Sequence, residues 1–333
     1  MDVPKTIPAS AVRDAAIHDQ LLVRRKRLQD ALPHHKDPAS LTHLLQQVDD
    51  ALSRIHEGTF GICETCHDTI EHDRLLCDPF VRNCLDHLSR SERQALERDL
   101  DLAFQVQRGL LPRLDVGVAG WSMSYRFQPA GPVSGDYVDV VSGVSGDFYF
   151  LMGDVSGKGV AASLLMANLH AIFRTLIPAS LPLEELMGKA NRLFCEGTLS
   201  THFATLVCGR ASANGDIVIA NAGHTAPVVT GPGGVRVIGS TGLPVGMFCE
   251  SAYGAEQFTL GKGESLVLIT DGVTEARNTA GELYGEECLS SLAGRHHLLA
   301  PEDIIAALLE DVRVFRNGAP VTDDMTALVL RKV

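Results

Sequence analysis

The run Phe148-Tyr-Phe-Leu-Met-Gly-Asp154-Val-Ser-Gly-Lys-Gly159 constrains this chain more than any other. Six mostly apolar residues read as a buried strand that leads straight into a carboxylate. A turn of small residues follows, which lets backbone approach closely, and then a long apolar helix over Val160 to Ile177. A carboxylate at the end of a buried strand costs free energy unless something neutralises it, and a cation is the natural partner. The arrangement recurs. Ser265-Leu-Val-Leu-Ile-Thr-Asp271-Gly272 is a second apolar strand ending in Asp-Gly. Asp323-Asp324 precedes the strand Met-Thr-Ala-Leu-Val-Leu, and Asp136, in Ser134-Gly-Asp-Tyr-Val-Asp139, opens a fourth. Adjacent strands bring their ends together, so these aspartates are expected to form one acidic cluster. Carboxylates without His or Cys among them suit Mg²⁺ or Mn²⁺ rather than zinc. Two such ions, about 3.5–4 Å apart, can activate a water and hold a phosphoryl group.

A different donor set lies upstream. Seventeen residues separate Cys63-Glu-Thr-Cys66 from Cys84-Leu-Asp-His87, the spacing of a two-knuckle zinc site. Three thiolates and an imidazole suit tetrahedral Zn²⁺. Cys77 is the second choice for the fourth ligand, although a Cys-x6-Cys spacing makes a poor knuckle. Cys195, Cys208, Cys249 and Cys288 are scattered and read as small buried hydrophobes in a reducing cytoplasm.

With 333 residues the chain exceeds one typical domain. It shows no secretory-type leader and no run of 18 apolar residues, so the expectation is a cytoplasmic protein without a membrane span. A net charge of −12 argues against nonspecific nucleic-acid binding. Residues 1–10 read as a loose tail and residues 11–90 as a helical hairpin plus finger, with apolar positions at helical spacing on both arms. Residues 91–113 form a linker helix capped by Ser91 or Ser89; its stripe of Leu96, Leu100, Ala103, Val106 and Leu110 would also serve a homodimer. Residues 114–333 carry nine strands and four helices that do not alternate one for one, which argues for an α+β fold. Ser156-Gly-Lys-Gly fails as a phosphate loop, since Met152 and Gly159 stand where Gly and Ser/Thr are required. Asp139 reads equally as a supporting acid or an exposed strand residue, and His224 as structural.

From about Glu97 to Val333 the chain resembles the SpoIIE-like branch of the type-2C, metal-dependent serine/threonine protein phosphatases. The matching pieces are Leu100-Asp-Leu-Ala-Phe-Gln-Val-Gln-Arg-Gly-Leu-Leu-Pro112, Gly135-Asp-Tyr-Val-Asp139, Gly153-Asp-Val-Ser-Gly-Lys-Gly159, Asn221-Ala-Gly-His224, Gly242-Leu-Pro-Val-Gly246, Thr270-Asp-Gly-Val-Thr-Glu-Ala-Arg277 and Asp323-Asp-Met-Thr326. The resemblance implies an αββα sandwich of two antiparallel sheets flanked by helices. It implies two Mn²⁺ or Mg²⁺ ions, with Asp154 bridging them, the Val155 carbonyl and Asp136 (directly or through a water) on the first, and Asp271 with Asp323 or Asp324 on the second. Motif alignment favours Asp323. The implied reaction is hydrolysis of phosphoserine or phosphothreonine by a metal-bridging hydroxide, on a signalling protein such as an anti-sigma-factor antagonist. The chain departs from the usual Gly-Gly-Asp in having Ser134-Gly-Asp. The run Val48 to Cys63, with Arg74-Leu and Cys84, resembles the DksA/TraR-type zinc finger, His87 replacing that family's fourth Cys. That likeness raises an alternative, a non-enzymatic regulator of RNA polymerase. Its hairpin arms, on the order of 30 Å each, and a Pro-His-His-Lys tip without acidic residues discourage it.

Overall fold

In the computed structural model, which describes residues 9–34, 38–71, 74–75, 78–113, 120–144, 146–198 and 201–333, the chain divides into two units, residues 1–98 and 99–333. In the first, helices α1 (Ala9–Ala31) and α2 (Pro38–Glu57) pack together through Ile17, Leu21, Val48 and Ala51. Cys63, Ile70, Leu75 and Cys84 from the following loop join the same small core. Helix α3 (Arg90–Leu110) opens with a capping box. The Glu92 N–H donates to Ser89 Oγ at 3.2 Å and the Ser89 N–H donates to the Glu92 carboxylate at 2.9 Å, so Ser89 rather than Ser91 is the cap.

The second unit is α+β. Its strands are β1 (Trp121–Gln128), β2 (Asp136–Ser142), β3 (Phe148–Val155), β4 (Ala204–Ala211), β5 (Asp216–Ala222), β6 (Val228–Gly231), β7 (Gly234–Val237), β8 (Glu256–Thr259), β9 (Ser265–Ile269) and β10 (Met325–Lys332). Its further helices are α4 (Gly159–Leu176), α5 (Leu183–Gly197), α6 (Asp271–Thr274), α7 (Gly285–Arg295) and α8 (Pro301–Arg316). Two antiparallel sheets, ordered β1-β10-β9-β6-β7 and β2-β3-β4-β5-β8, stack face to face. Between them lie Phe148, Phe150, Met152, Val138, Leu266, Leu268, Leu328 and Leu330. The outer face of the β2–β8 sheet packs on α4 and α5, and that of the β9–β10 sheet on α7 and α8. This is the expected four-layer αββα sandwich.

Side chains alternate between faces along a strand. In β3, Phe148, Phe150 and Met152 face the other sheet, while Tyr149 and Leu151 face α4 and α5. Both faces are covered, which is why this strand reads as one continuous apolar run. Helix α4 with its short extension, Gly159–Ala179, is long and apolar enough to cross a membrane by length and composition. Here Met166, Leu169 and Phe173 are buried in the core against β2 and β3.

Three details differ from the sequence reading. Asp271 begins the one-turn helix α6 instead of ending a strand, and β7 was not anticipated. Of the scattered cysteines only Cys208 is fully buried; Cys249 and Cys288 are exposed, lying outside the apolar layers.

Candidate active site and metal sites

Strand alternation assembles the site. Asp136 shares its face of β2 with Val138, and Asp154 shares its face of β3 with Met152, so both carboxylates continue the inter-sheet layer. They also stand opposite each other, since Asp136 pairs with Asp154 in the β2–β3 register. On the facing sheet, Thr270 and Thr326 continue the inner faces of β9 and β10. Their hydroxyls donate to Asp136 Oδ2 at 3.0 Å and 2.5 Å. The facing sheet thus holds the Asp136 carboxylate through two adjacent strands.

The remaining acids come from loops. Asp271 opens α6, and Asp323-Asp324 precedes β10. Gly272 is required here: a Cβ on it would lie 1.9 Å from the Asp324 carbonyl oxygen and 3.3 Å from Asp323 Cβ. Only a residue without a side chain lets these two segments touch. Gly135 plays the same part on the other side, where a Cβ would stand 3.0 Å from the Val155 carbonyl oxygen.

Asp323 and Asp324 have different surroundings. Asp324 accepts hydrogen bonds from the Ala130 N–H (2.7 Å), the Ser134 hydroxyl (2.7 Å) and the Gly135 N–H (3.1 Å), and so holds the loop leading to Asp136. Asp323 carries an ion pair with Lys158, Nζ to Oδ2 being 2.8 Å. The departure Ser134-Gly-Asp also finds its reason. The buried Ser134 hydroxyl donates to Asp324 and accepts from the Asp136 N–H at 3.0 Å, bonds a glycine could not make. Its backbone is held by Gln107 of α3, whose amide donates to the Ser134 carbonyl at 2.7 Å and accepts from its N–H at 3.1 Å.

The electrostatics are unbalanced. Burial, then the neighbouring Asp154, pushes Asp136 well above the usual carboxylate range. Burial, then Asp271, Asp323 and Asp324, raises Asp154 to about 7. Asp271 is raised by burial and by Glu275 and Asp323. An all-oxygen donor set this strained by its own charge fits hard divalent cations.

Asp139 belongs to neither of its expected roles at the surface or in the cluster. Three residues after Asp136, it lies on the opposite face of β2, fully buried, and receives a two-pronged bond from Arg174 of α4 at 2.6 and 2.7 Å. His224 is buried, as expected of a structural residue; its Nδ1 meets the Thr205 hydroxyl at 2.9 Å, and burial lowers its pKa to about 4. Thr270, Thr326, Ser134 and Lys158 were not singled out as site residues from sequence. The alternation of β9 and β10 could have pointed to the two threonines.

In the first unit, the Cys63, Cys66 and Cys84 sulfurs and a ring nitrogen of His87 lie within 4.8 Å of one another. Cys66 Sγ is 3.7 Å from Cys84 Sγ, and His87 Nδ1 is 3.2 Å from Cys84 Sγ. Although burial opposes it, N–H groups of Cys66, Cys84 and Thr65 directed at the Cys63 sulfur bring its thiol down to about 6. Cys77 lies outside the described residues.

Stacked antiparallel sheets between helical layers, with aspartates gathered at one set of strand ends, are the architecture of the type-2C phosphatase fold. The SiaA type-2C phosphatase domain of Pseudomonas aeruginosa has the same fold, with a TM-score of 0.64 at 18% identity over 72% of this chain and 98% of that one. The chain belongs to the SpoIIE family, whose model (stage II sporulation protein E) matches residues 145–333. It is similar to the phosphoserine phosphatase RsbU of Bacillus subtilis, 25% identical over 73% of this chain and 72% of RsbU. It is also similar to IcfG of a Synechocystis species, 26% identical over 70% of this chain; only 41% of IcfG's length is spanned.

Proposed function

We propose that this chain hydrolyses phosphoserine or phosphothreonine in a cytoplasmic signalling protein, of the kind represented by an anti-sigma-factor antagonist, using two Mn²⁺ or Mg²⁺ ions. The observation that carries the reading is the convergence of Asp136, Asp154, Asp271 and Asp323 from four separate segments, their charges in excess of any protein cation nearby. The bound ions would supply an activated water and offset charge on the phosphoryl oxygens. Asp154 stands opposite Asp136 in the β2–β3 register and is electrostatically coupled to Asp271 and Asp323 as well, which suits it to both ions. Asp136 and the Val155 carbonyl would serve one ion, and Asp271 and Asp323 the other. Between the adjacent acids, Asp323 is our choice of ligand, because Asp324 already accepts three hydrogen bonds in shaping the 130–135 loop. Thr270 and Thr326 orient Asp136, and Gln107 and Ser134 hold its approach.

In the first unit we assign Cys63, Cys66, Cys84 and His87 to one structural Zn²⁺ in a DksA/TraR-like finger that serves as a regulatory or interaction module. The close approach of one nitrogen and three sulfurs supports this. Exposed Leu96, Leu102 and Val106 on α3 suit a homodimer through residues 91–111.

The test is hydrolysis of an aryl phosphate by the full-length protein with Mn²⁺, Mg²⁺ or chelator, beside Asp154→Asn and Asp271→Asn. Metal-dependent turnover lost in both variants, with circular dichroism unchanged, is the expected result. Turnover that survives either substitution or the chelator would refute the proposal.

A further inference from the structure

Lys158 lies in Ser156-Gly-Lys-Gly, which fails as a phosphate loop, and the two-ion reading gives it no part. It precedes the first turn of α4 in extended conformation, with φ −139° and ψ 165°, at the end of the short turn that follows β3 and Asp154. Its Nζ makes two contacts of 2.8 Å, to Asp323 Oδ2 and to the Thr322 carbonyl oxygen. Among the described residues it is the only cation that ion-pairs with Asp136, Asp154, Asp271, Asp323 or Asp324.

We infer that Lys158 is a resident counter-ion of the acidic site, which a divalent ion must displace from Asp323 as it binds, so that this lysine sets how much cation the site demands. The inference rests on the two-ion reading above, and in particular on Asp323 as a ligand. Three observations carry it. The ammonium holds a carboxylate and a carbonyl oxygen, both of them donors that a hard cation takes. Its contacts are on the one aspartate of the adjacent pair whose oxygens are not already engaged in holding the 130–135 loop. And the pair is half in solvent, with side chains 64% and 42% exposed, so it is exchangeable rather than a fixed strut. An ammonium on a flexible four-carbon stem can leave without disturbing the backbone. Because exposed pairs are weak, the effect is a shift in affinity, on the order of two- to fivefold.

The experiment is calorimetric titration of Mn²⁺ into the full-length, chelator-stripped protein, with Zn²⁺ restored to one equivalent. Wild type is compared with Lys158→Met, Lys158→Arg, Asp323→Asn and the double variant Lys158→Met/Asp323→Asn. Lys158→Met is expected to bind Mn²⁺ about two- to fivefold more tightly at the weaker site, and Lys158→Arg to stay near wild type. In the Asp323→Asn background the methionine should bring no gain, because the pair it relieves is already gone. Lys158→Met binding as wild type or more weakly would overturn the inference. So would an equal gain in the Asp323→Asn background, which would mark a through-space field rather than displacement. A wild-type protein that binds no Mn²⁺ beyond the zinc equivalent would remove the two-ion reading itself, and the inference with it.

Discussion

Replacing Arg174 by Met tests how α4 is held against the strand that carries Asp136. Asp139 is fully buried on β2. Its carboxylate accepts from Arg174 Nε and an Arg174 terminal nitrogen at 2.7 and 2.6 Å and from the Val140 N–H at 2.8 Å. The Tyr137 hydroxyl lies 3.4 Å away and His170 Nε2 3.8 Å away. Removing one partner of a fully buried pair costs about 3–5 kcal/mol, because the other charge stays buried. Arg174 is 42% exposed, so solvent screening reduces this to about 2 kcal/mol. For a unit of this size that is a fall in Tm of roughly 4–8 °C, read by scanning calorimetry. The deficit should depend on pH. Burial holds the His170 pKa below its usual value, Asp139 opposes this and Arg174 reinforces it. Without Arg174 the unpaired Asp139 raises the folded-state pKa of His170. A raised folded pKa stabilises at low pH and loses its effect as pH rises through it. Arg174→Met should therefore lose less at pH 6 than at pH 8, and adding His170→Gln should abolish that difference. A Tm within 2 °C of wild type at pH 8, or a deficit equal at both pH values, would refute the reasoning.

Other outcomes follow from the same geometry. Asp324→Ala should release the 130–135 loop and lower metal-dependent turnover by about tenfold or more, near 1.4 kcal/mol, while Mn²⁺ still binds through Asp323; loss of binding instead would make Asp324 a ligand. Elemental analysis should find one zinc per chain, and Cys84→Ser should lose it and open residues 1–98 to proteolysis, since Cys84 belongs to that unit's core. His224 has a folded pKa near 4, below its unfolded value, so the native state binds fewer protons between about 6.5 and 4. Stability should fall as pH drops through that window by about 3 kcal/mol, and the difference between wild type and His224→Gln in acid unfolding should show it.

Much of this was legible in the sequence. Most element boundaries in residues 121–333 follow from apolar runs and breakers, because a strand covered on at least one face carries a local apolar pattern; β7, exposed along its whole length, carries none and was not read. The Cys-x2-Cys and Cys-x2-His spacing is local too, since each pair is set by a single turn. The four aspartates could be nominated because each stands beside a strand end.

What no local pattern could decide is which groups meet. Asp136 and Asp139 are both carboxylates on β2, three residues apart; alternation sends one to the inter-sheet layer and the other to Arg174, and their chemistry separates there. Asp323 and Asp324 are neighbours of identical type, distinguished only because the 130–135 loop, nearly two hundred residues earlier, takes up one and Lys158 the other. Thr270 and Thr326 gain their part only when two sheets stack over Asp136. Sequence by itself determined most of the elements and the donor types, since these depend on short-range periodicity and chemistry. Tertiary structure decided the partnerships, because contact across sheets and loops depends on positions far apart along the chain.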